Sequence, residues 1–165
     1  MSDTFQPYSD PANLAVIRAI GSSVVLDVAP DEELSAQKLI DPIAQAYEEG
    51  HLLVARMDSK TPGGFGDVDL ILLVIVPVVI EVLGELGKQL LTMGFDALKK
   101  RIKEKEANKS KAIEIIEVTV EQKYKLVNQK VKSKKARSKE KIAKQALKIH
   151  IKKQLEIESE NTESH

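Results

Sequence analysis

Cysteine and tryptophan are both absent from the 165 residues, and only 4% of the chain is aromatic. Without cysteine there is no disulfide framework, no thiolate nucleophile and no Cys-based zinc site. So few aromatic side chains leave little for base stacking or for an aromatic-rich protein hot spot. Catalytic spacings are missing too: no HExxH, DxDxDG or GxSxG pattern occurs. His51, His150 and His165 are far apart, and Ser22-Ser23 has no His or Lys beside it. The acids between Asp27 and Glu49 stand where helix starts and solvated faces want them. The chain therefore reads as a protein that is not an enzyme, with no cofactor and no metal site.

What is present is close to globular: 42% of residues are apolar, enough for one packed domain. The formal net charge of zero hides three blocks. Residues 1–98 hold 5 basic and 15 acidic residues, residues 99–153 hold 20 and 6, and residues 154–165 hold four acids and no base. An acidic body, a basic arm and an acidic tip follow from those counts.

Local signals predict an α+β fold, a small mixed domain with a prominent apolar central helix and a basic, mainly helical C-terminal arm. A flexible leader occupies 1–10. Asp10-Pro11 has the form of an N-cap and a first-turn proline, with Gly21 as the stop of a short helix. Val24 to Val28 and His51 to Met57 read as strands. Between them Asp31-Glu32-Glu33 opens a helix, and Asp41-Pro42 starts a second or marks a kink that ends at Gly50. Residues 11–57 thus form a small α/β unit. A Gly-rich hinge loop follows at 58–69; its glycines match neither the P-loop nor the dinucleotide spacing.

Leu70 to Ile80 is an unbroken run of eleven residues that contains only Pro77 besides Leu, Ile and Val. It is too short to cross a bilayer alone, and it suits a buried helix, a re-entrant piece or a strand with Pro77 opening the next helix. Helical spacing resumes from Leu83, giving an apolar helix with a basic end over 70–108. Within the 109–158 arm, residues 112–121 lean towards a strand because of Val118-Thr119-Val120. A competing helical stripe runs through Ile113, Ile116, Val120, Tyr124, Val127 and Val131. Lys130 to Lys141 holds seven basic residues in twelve, and an amphipathic helix over Ile142, Ala146 and Ile149 precedes an acidic tip at 159–165.

Two groups of residues are candidates for contact with something else. Leu70, Leu73, Val76, Ile80, Leu83, Leu90 and Phe95 could dock on a membrane or a partner, and Lys99, Lys100, Arg101, Lys103, Lys132, Lys134, Lys135 and Arg137 form a basic patch. Apolar insertion and lysine attraction to anionic lipid would act together, whereas Glu81, Glu85 and Asp96 oppose deep insertion. The expected function is that of an accessory or adaptor protein that docks on a partner protein, a second copy of itself or an anionic membrane. The alternatives are a membrane-perturbing effector whose segment 70–98 inserts and oligomerises, and, ranking below both, a non-specific nucleic-acid binder acting through the lysine-rich arm.

The order Pro62-Gly63-Gly64-Phe65-Gly66-Asp67, apolar Val68–Leu98, basic Lys99–Lys105 and strand-like Ile113–Val120 resembles small effector-associated components of prokaryotic conflict systems. The resemblance implies an adaptor for antiviral defence, encoded beside its effector, and assigns no functional residue. The long lysine-rich extension and Pro77 depart from that pattern. The first twenty residues lack a basic segment followed by an apolar one, so the expected location is the cytoplasm or the inner face of the membrane.

Overall fold

The computed structural model describes residues 10–30, 33–50 and 67–157, and the side chains of 33–36 and 67–70 fall outside that description. Helix makes up 88% of the described residues, and none of them is in a strand. The α+β expectation is therefore corrected to an all-α fold. Seven helices are described: α1 Pro11–Val28, α2 Glu33–Glu48, α3 Asp67–Leu90, α4 Phe95–Glu104, α5 Glu106–Val131, α6 Lys134–Ser138 and α7 Glu140–Gln154.

Helix α3 is the axis, and each of the other six touches it. Every residue from Ile71 to Ile80 is buried. A helix that is apolar on all sides needs cover on all sides, and the six neighbours supply it with apolar stripes. On α1 the stripe is Leu14, Ile17, Gly21, Val24 and Val28, in steps of 3, 4, 3 and 4. That periodicity carries α1 straight through Gly21, the expected stop, and absorbs the expected strand at Val24–Val28. Gly21 instead lets α2 come close: a Cβ there would lie 3.2 Å from the Ile40 side chain.

Asp41-Pro42 starts nothing new, because α2 runs through it with Pro42 inside. The Asp41 carboxylate accepts two hydrogen bonds from the Arg18 guanidinium, at 2.8 and 2.7 Å, and so ties α1 to α2. Pro77 is likewise interior to α3 and opens no new helix. Asp10 does what its sequence implies: its side chain accepts the Ala12 N–H at 3.0 Å, with Pro11 in the first turn. Residues 112–121 are helical, in the middle of α5. Ile115, Ile116, Thr119 and Val120 are buried there while Val118 is 46% exposed, a helical pattern that no strand alternation produces.

The expected 70–108 helix is broken at residues 91–94 and again at Lys105, and so falls on α3, α4 and the start of α5. Leu91 ends α3 in the left-handed region with φ 59°, and Thr92 N–H returns to the Gly87 carbonyl at 2.9 Å. Gly94 offers α4 no side-chain cap, so Asn13 of α1 serves, its Oδ1 accepting the Phe95 N–H at 2.9 Å. The strand expected at 51–57, leader residues 1–9, hinge residues 58–66 and the tip at 159–165 lie outside the described residues.

This break generates a paired test. A Cβ at Gly87 would meet the Thr92 carbonyl oxygen at 2.9 Å, with backbone on both sides, so Gly87→Ala should destabilise by about 1–3 kcal/mol. Leu91 is 80% exposed and packs on little, so Leu91→Gly should stabilise by about 0.5–1 kcal/mol through relief of the left-handed conformation. Chemical denaturation of both variants measures the two signs; equal effects would contradict this account of the turn.

Candidate functional site

The basic arm folds back as a helical hairpin. On α5, Glu117 and Glu121 stand one turn apart, and on α7 Lys144, Lys148 and Lys152 do the same. Lys144 and Lys148 each reach Glu121 at 2.7 Å; Lys148 and Lys152 reach Glu117 at 3.1 and 2.9 Å. The descending register makes α5 and α7 antiparallel. Glu140 holds Lys144 from the other side at 3.0 Å. Lys144 and Lys148 hold the Glu121 carboxyl below the ordinary carboxylate range, and the Lys144 ammonium is pushed up in turn, by Glu121 first and Glu140 second. Burial works against the charged forms of Glu117 and Lys148, but pairing wins: Lys152 and then Lys148 lower Glu117, and Glu121 and then Glu117 raise Lys148.

The turn that closes this hairpin is built with care. Lys132 caps α5 in the left-handed region, its N–H on the Asn128 carbonyl. Asn128 Oδ1 accepts the Ser133 N–H at 3.2 Å, and Ser133 Oγ caps α6 by accepting the Ala136 N–H at 2.9 Å. The fully buried Tyr124 hydroxyl donates to the Ala136 carbonyl at 2.7 Å. Burial first, and Glu140 second, push the Tyr124 phenol well above its ordinary value, so it stays a neutral donor. Three side chains on two levels thus fix the backbone from which the cations project.

Those cations are Lys130, Lys132, Lys134, Lys135, Arg137, Lys139 and Lys141, and none has an ion pair among the described residues. Glu140 is the one acid in the stretch, and Lys144 takes it. Lys132, Lys134, Lys135 and Arg137 of the sequence-derived patch therefore come together on one turn. Lys99 and Lys103 belong elsewhere: both hold Glu156, which they keep below its ordinary value, Lys103 foremost. Arg101 donates to the Leu90 carbonyl at 2.9 Å and pairs with Glu104 at 3.6 Å, and Lys100 is exposed on the same helix. A cleft of about 510 Å³ at the α4–α5 junction alternates Lys103, Lys105 and Lys109 with Glu104, Glu106 and Glu156, and so carries little net charge.

The apolar candidates lie inside. Leu73, Val76, Ile80, Leu83, Leu90 and Phe95 are all core residues, between 0% and 7% exposed, and Leu70 has only its backbone described. Glu81, the first acid after the apolar run, emerges half-buried. It accepts from the Tyr47 hydroxyl of α2 and pairs with Lys123 of α5 at 3.7 Å. Burial and this carboxylate together push the Tyr47 phenol up. Neither the Glu81 node nor the α5–α7 seam was read from sequence. The seam was signalled by the 117/121 and 144/148/152 spacings; the node had no local signal, since its members lie 34 and 42 residues from Glu81.

Among the described residues no group of three or more His, Asp or Glu side chains converges as a metal site would require. Helix α1 alone among them is long and apolar enough to cross a membrane, a test that buried core helices also pass. Comparison with protein-family models, with curated proteins and with solved structures finds no match.

The seam has a defined pH window. The lowered Glu117 and Glu121 contribute stability above the unfolded carboxylate value of about 4.3, lost as pH falls through their folded values; the raised Lys144 and Lys148 contribute below about 10.4, lost as pH rises through theirs. Thermal unfolding followed across pH should show a plateau between those limits. In the Glu117→Gln/Glu121→Gln variant the acid limb should flatten; an unchanged limb would mean that the seam is not part of it.

Proposed function

We propose that the protein is a non-enzymatic docking module that meets an anionic partner with the turn of its α5–α7 hairpin. One observation carries this reading: seven cations project from a well-pinned turn, and among the described residues no acid pairs with them. Crowded like charges repel, and an opposite charge supplied from outside relieves that repulsion. The apolar candidates are spent on the core, so docking in this conformation falls to the arm. The resemblance to effector-associated adaptors adds one expectation, an effector encoded alongside as the eventual partner or beneficiary.

Lys132→Glu/Lys134→Glu/Arg137→Glu reverses three of the seven charges at exposed or half-exposed positions. The wild-type protein should bind at least one of three polyanions: phosphatidylserine vesicles, duplex DNA or polyglutamate. Affinity should fall steeply between about 50 and 200 mM salt and by about 100-fold or more in the triple variant. Failure to bind any of the three, or binding that ignores the reversal, defeats the reading.

A second reading, a membrane-perturbing effector, has a separate observation behind it: α3 is apolar on every face from Ile71 to Ile80. In that reading α3 leaves its six neighbours, enters a bilayer and associates with other copies. Glu81 and Glu85 in its C-terminal half work against entry. Release of a trapped dye from phosphatidylserine vesicles measures it. No release at lipid concentrations that bind the protein removes this reading and leaves the docking one standing.

A further inference from the structure

We infer that the anionic partner is a lipid bilayer, met head-on by the hairpin turn, with Leu126 and Ile142 entering the interface beside the cations. The inference rests on the docking reading and names the class of its partner.

Three features of the turn favour lipid over other polyanions. The first is the kind of cation: six of the seven are lysine and one is arginine. Lysine is a compact, strongly hydrated point charge that imposes no bidentate geometry, whereas fixed phosphate or carboxylate arrays favour arginine forks. A fluid anionic surface, whose headgroups move to the charges, needs no such geometry. The second is the absence of an exposed ring. Phe95 and Tyr124 are the aromatics of the described region from residue 91 onward, and they are 3% and 0% exposed. Neither of these rings is free to stack on a nucleic-acid base.

The third feature is apolar. Leu126 and Ile142 are each 49% exposed and flank the turn on its two helices. Leu126 stands one turn before Lys130, on the same face of α5. Ile142 is the third residue of α7, next to Lys141. Duplex phosphates and acidic peptides have little use for two branched aliphatic side chains among lysines; the headgroup–acyl boundary takes both. Leu126 lies five residues back from the end of α5, about 7 Å along the axis, within the depth of about 5–10 Å that interfacial segments reach. The other half-exposed aliphatics of the hairpin, Val118 and Ile149, lie a further 10–12 Å or so back and stay outside a surface met head-on.

The chain has no tryptophan, so a single introduced indole can be excited selectively, at wavelengths its three tyrosines do not absorb. Four variants, Leu126→Trp, Ile142→Trp, Val118→Trp and Ile149→Trp, are titrated with vesicles of phosphatidylcholine containing about one-third phosphatidylserine, with pure phosphatidylcholine vesicles and with duplex DNA. The expected result is a blue shift and quenching by brominated lipid for the first two variants on anionic vesicles only. Leu126→Ser and Ile142→Ser, with helical circular dichroism as a folding control, should each weaken vesicle binding about five- to tenfold.

Binding to anionic vesicles that is unmoved by the serine variants, with no blue shift, overturns interfacial entry while the docking reading stands. A blue shift at all four positions overturns the head-on orientation. Binding to DNA but not to vesicles overturns the choice of lipid alone. Binding to neither, nor to polyglutamate, overturns the docking reading as well.

Discussion

A helix that is apolar on every face has to be covered on every face, and that requirement organises this protein. Helix α3 is 24 residues long, about 36 Å, and no single partner helix can shield it. The chain surrounds it with helices that each need only one apolar stripe, which explains how 42% apolar content and 4% aromatics suffice. The interior is filled almost wholly by Val, Ile, Leu and Ala. Where α3 turns polar, at Glu81, the cover changes from packing to a hydroxyl and an ammonium, supplied by α2 and α5.

The outer surface follows from the same arrangement. Short amphipathic helices around one axis must be held in register by something other than aromatic interlocking. Polar contacts at the seams do this: ion pairs of Arg18 with Asp41, of Glu117 and Glu121 with three lysines and of Glu156 with two, and a hydrogen bond between Asp27 and His150. Each exposed pair contributes little to stability, yet each fixes which face meets which. The arm has 20 basic and 6 acidic residues, so most of its cations find no acid within it. Its densest group is at the turn, where seven cations within twelve residues have no ion pair among the described residues.

Much of the layout was legible in sequence and much was not, for identifiable reasons. Asp10-Pro11 acts locally, through one hydrogen bond and one fixed φ, and so it could be read without the fold. The runs Val24–Val28 and 112–121 favour strands by residue type, but β preference is decided by what the residue packs against. Here the neighbour is α3 or another helix, and the 3.6-residue period of the longer stretch prevails over the composition of the shorter one. Gly21 and Pro42 look like stops only when helices are considered singly; each is tolerated because a neighbouring helix compensates, through close approach at Gly21 and an Arg18 clasp beside Pro42. An all-apolar run such as Ile71–Ile80 carries no period at all, so its burial was foreseeable and its enclosure by six helices was not.

The basic patch shows the same limit in another form. Sequence proximity grouped Lys99–Lys103 with Lys132–Arg137 as one surface. Folding separates them by their acids: Glu156 comes back from the end of the chain to neutralise two of the first group, and nothing described reaches the second. A charge count therefore cannot locate an electrostatic site; the unpaired remainder after folding can. The apolar run and the lysine-rich extension, which look like two halves of one adhesive surface, take separate roles. The first holds the bundle together from within. The second is displayed on a turn that Tyr124, Asn128 and Ser133 fix in place, and it is the part to which the proposed docking role is assigned.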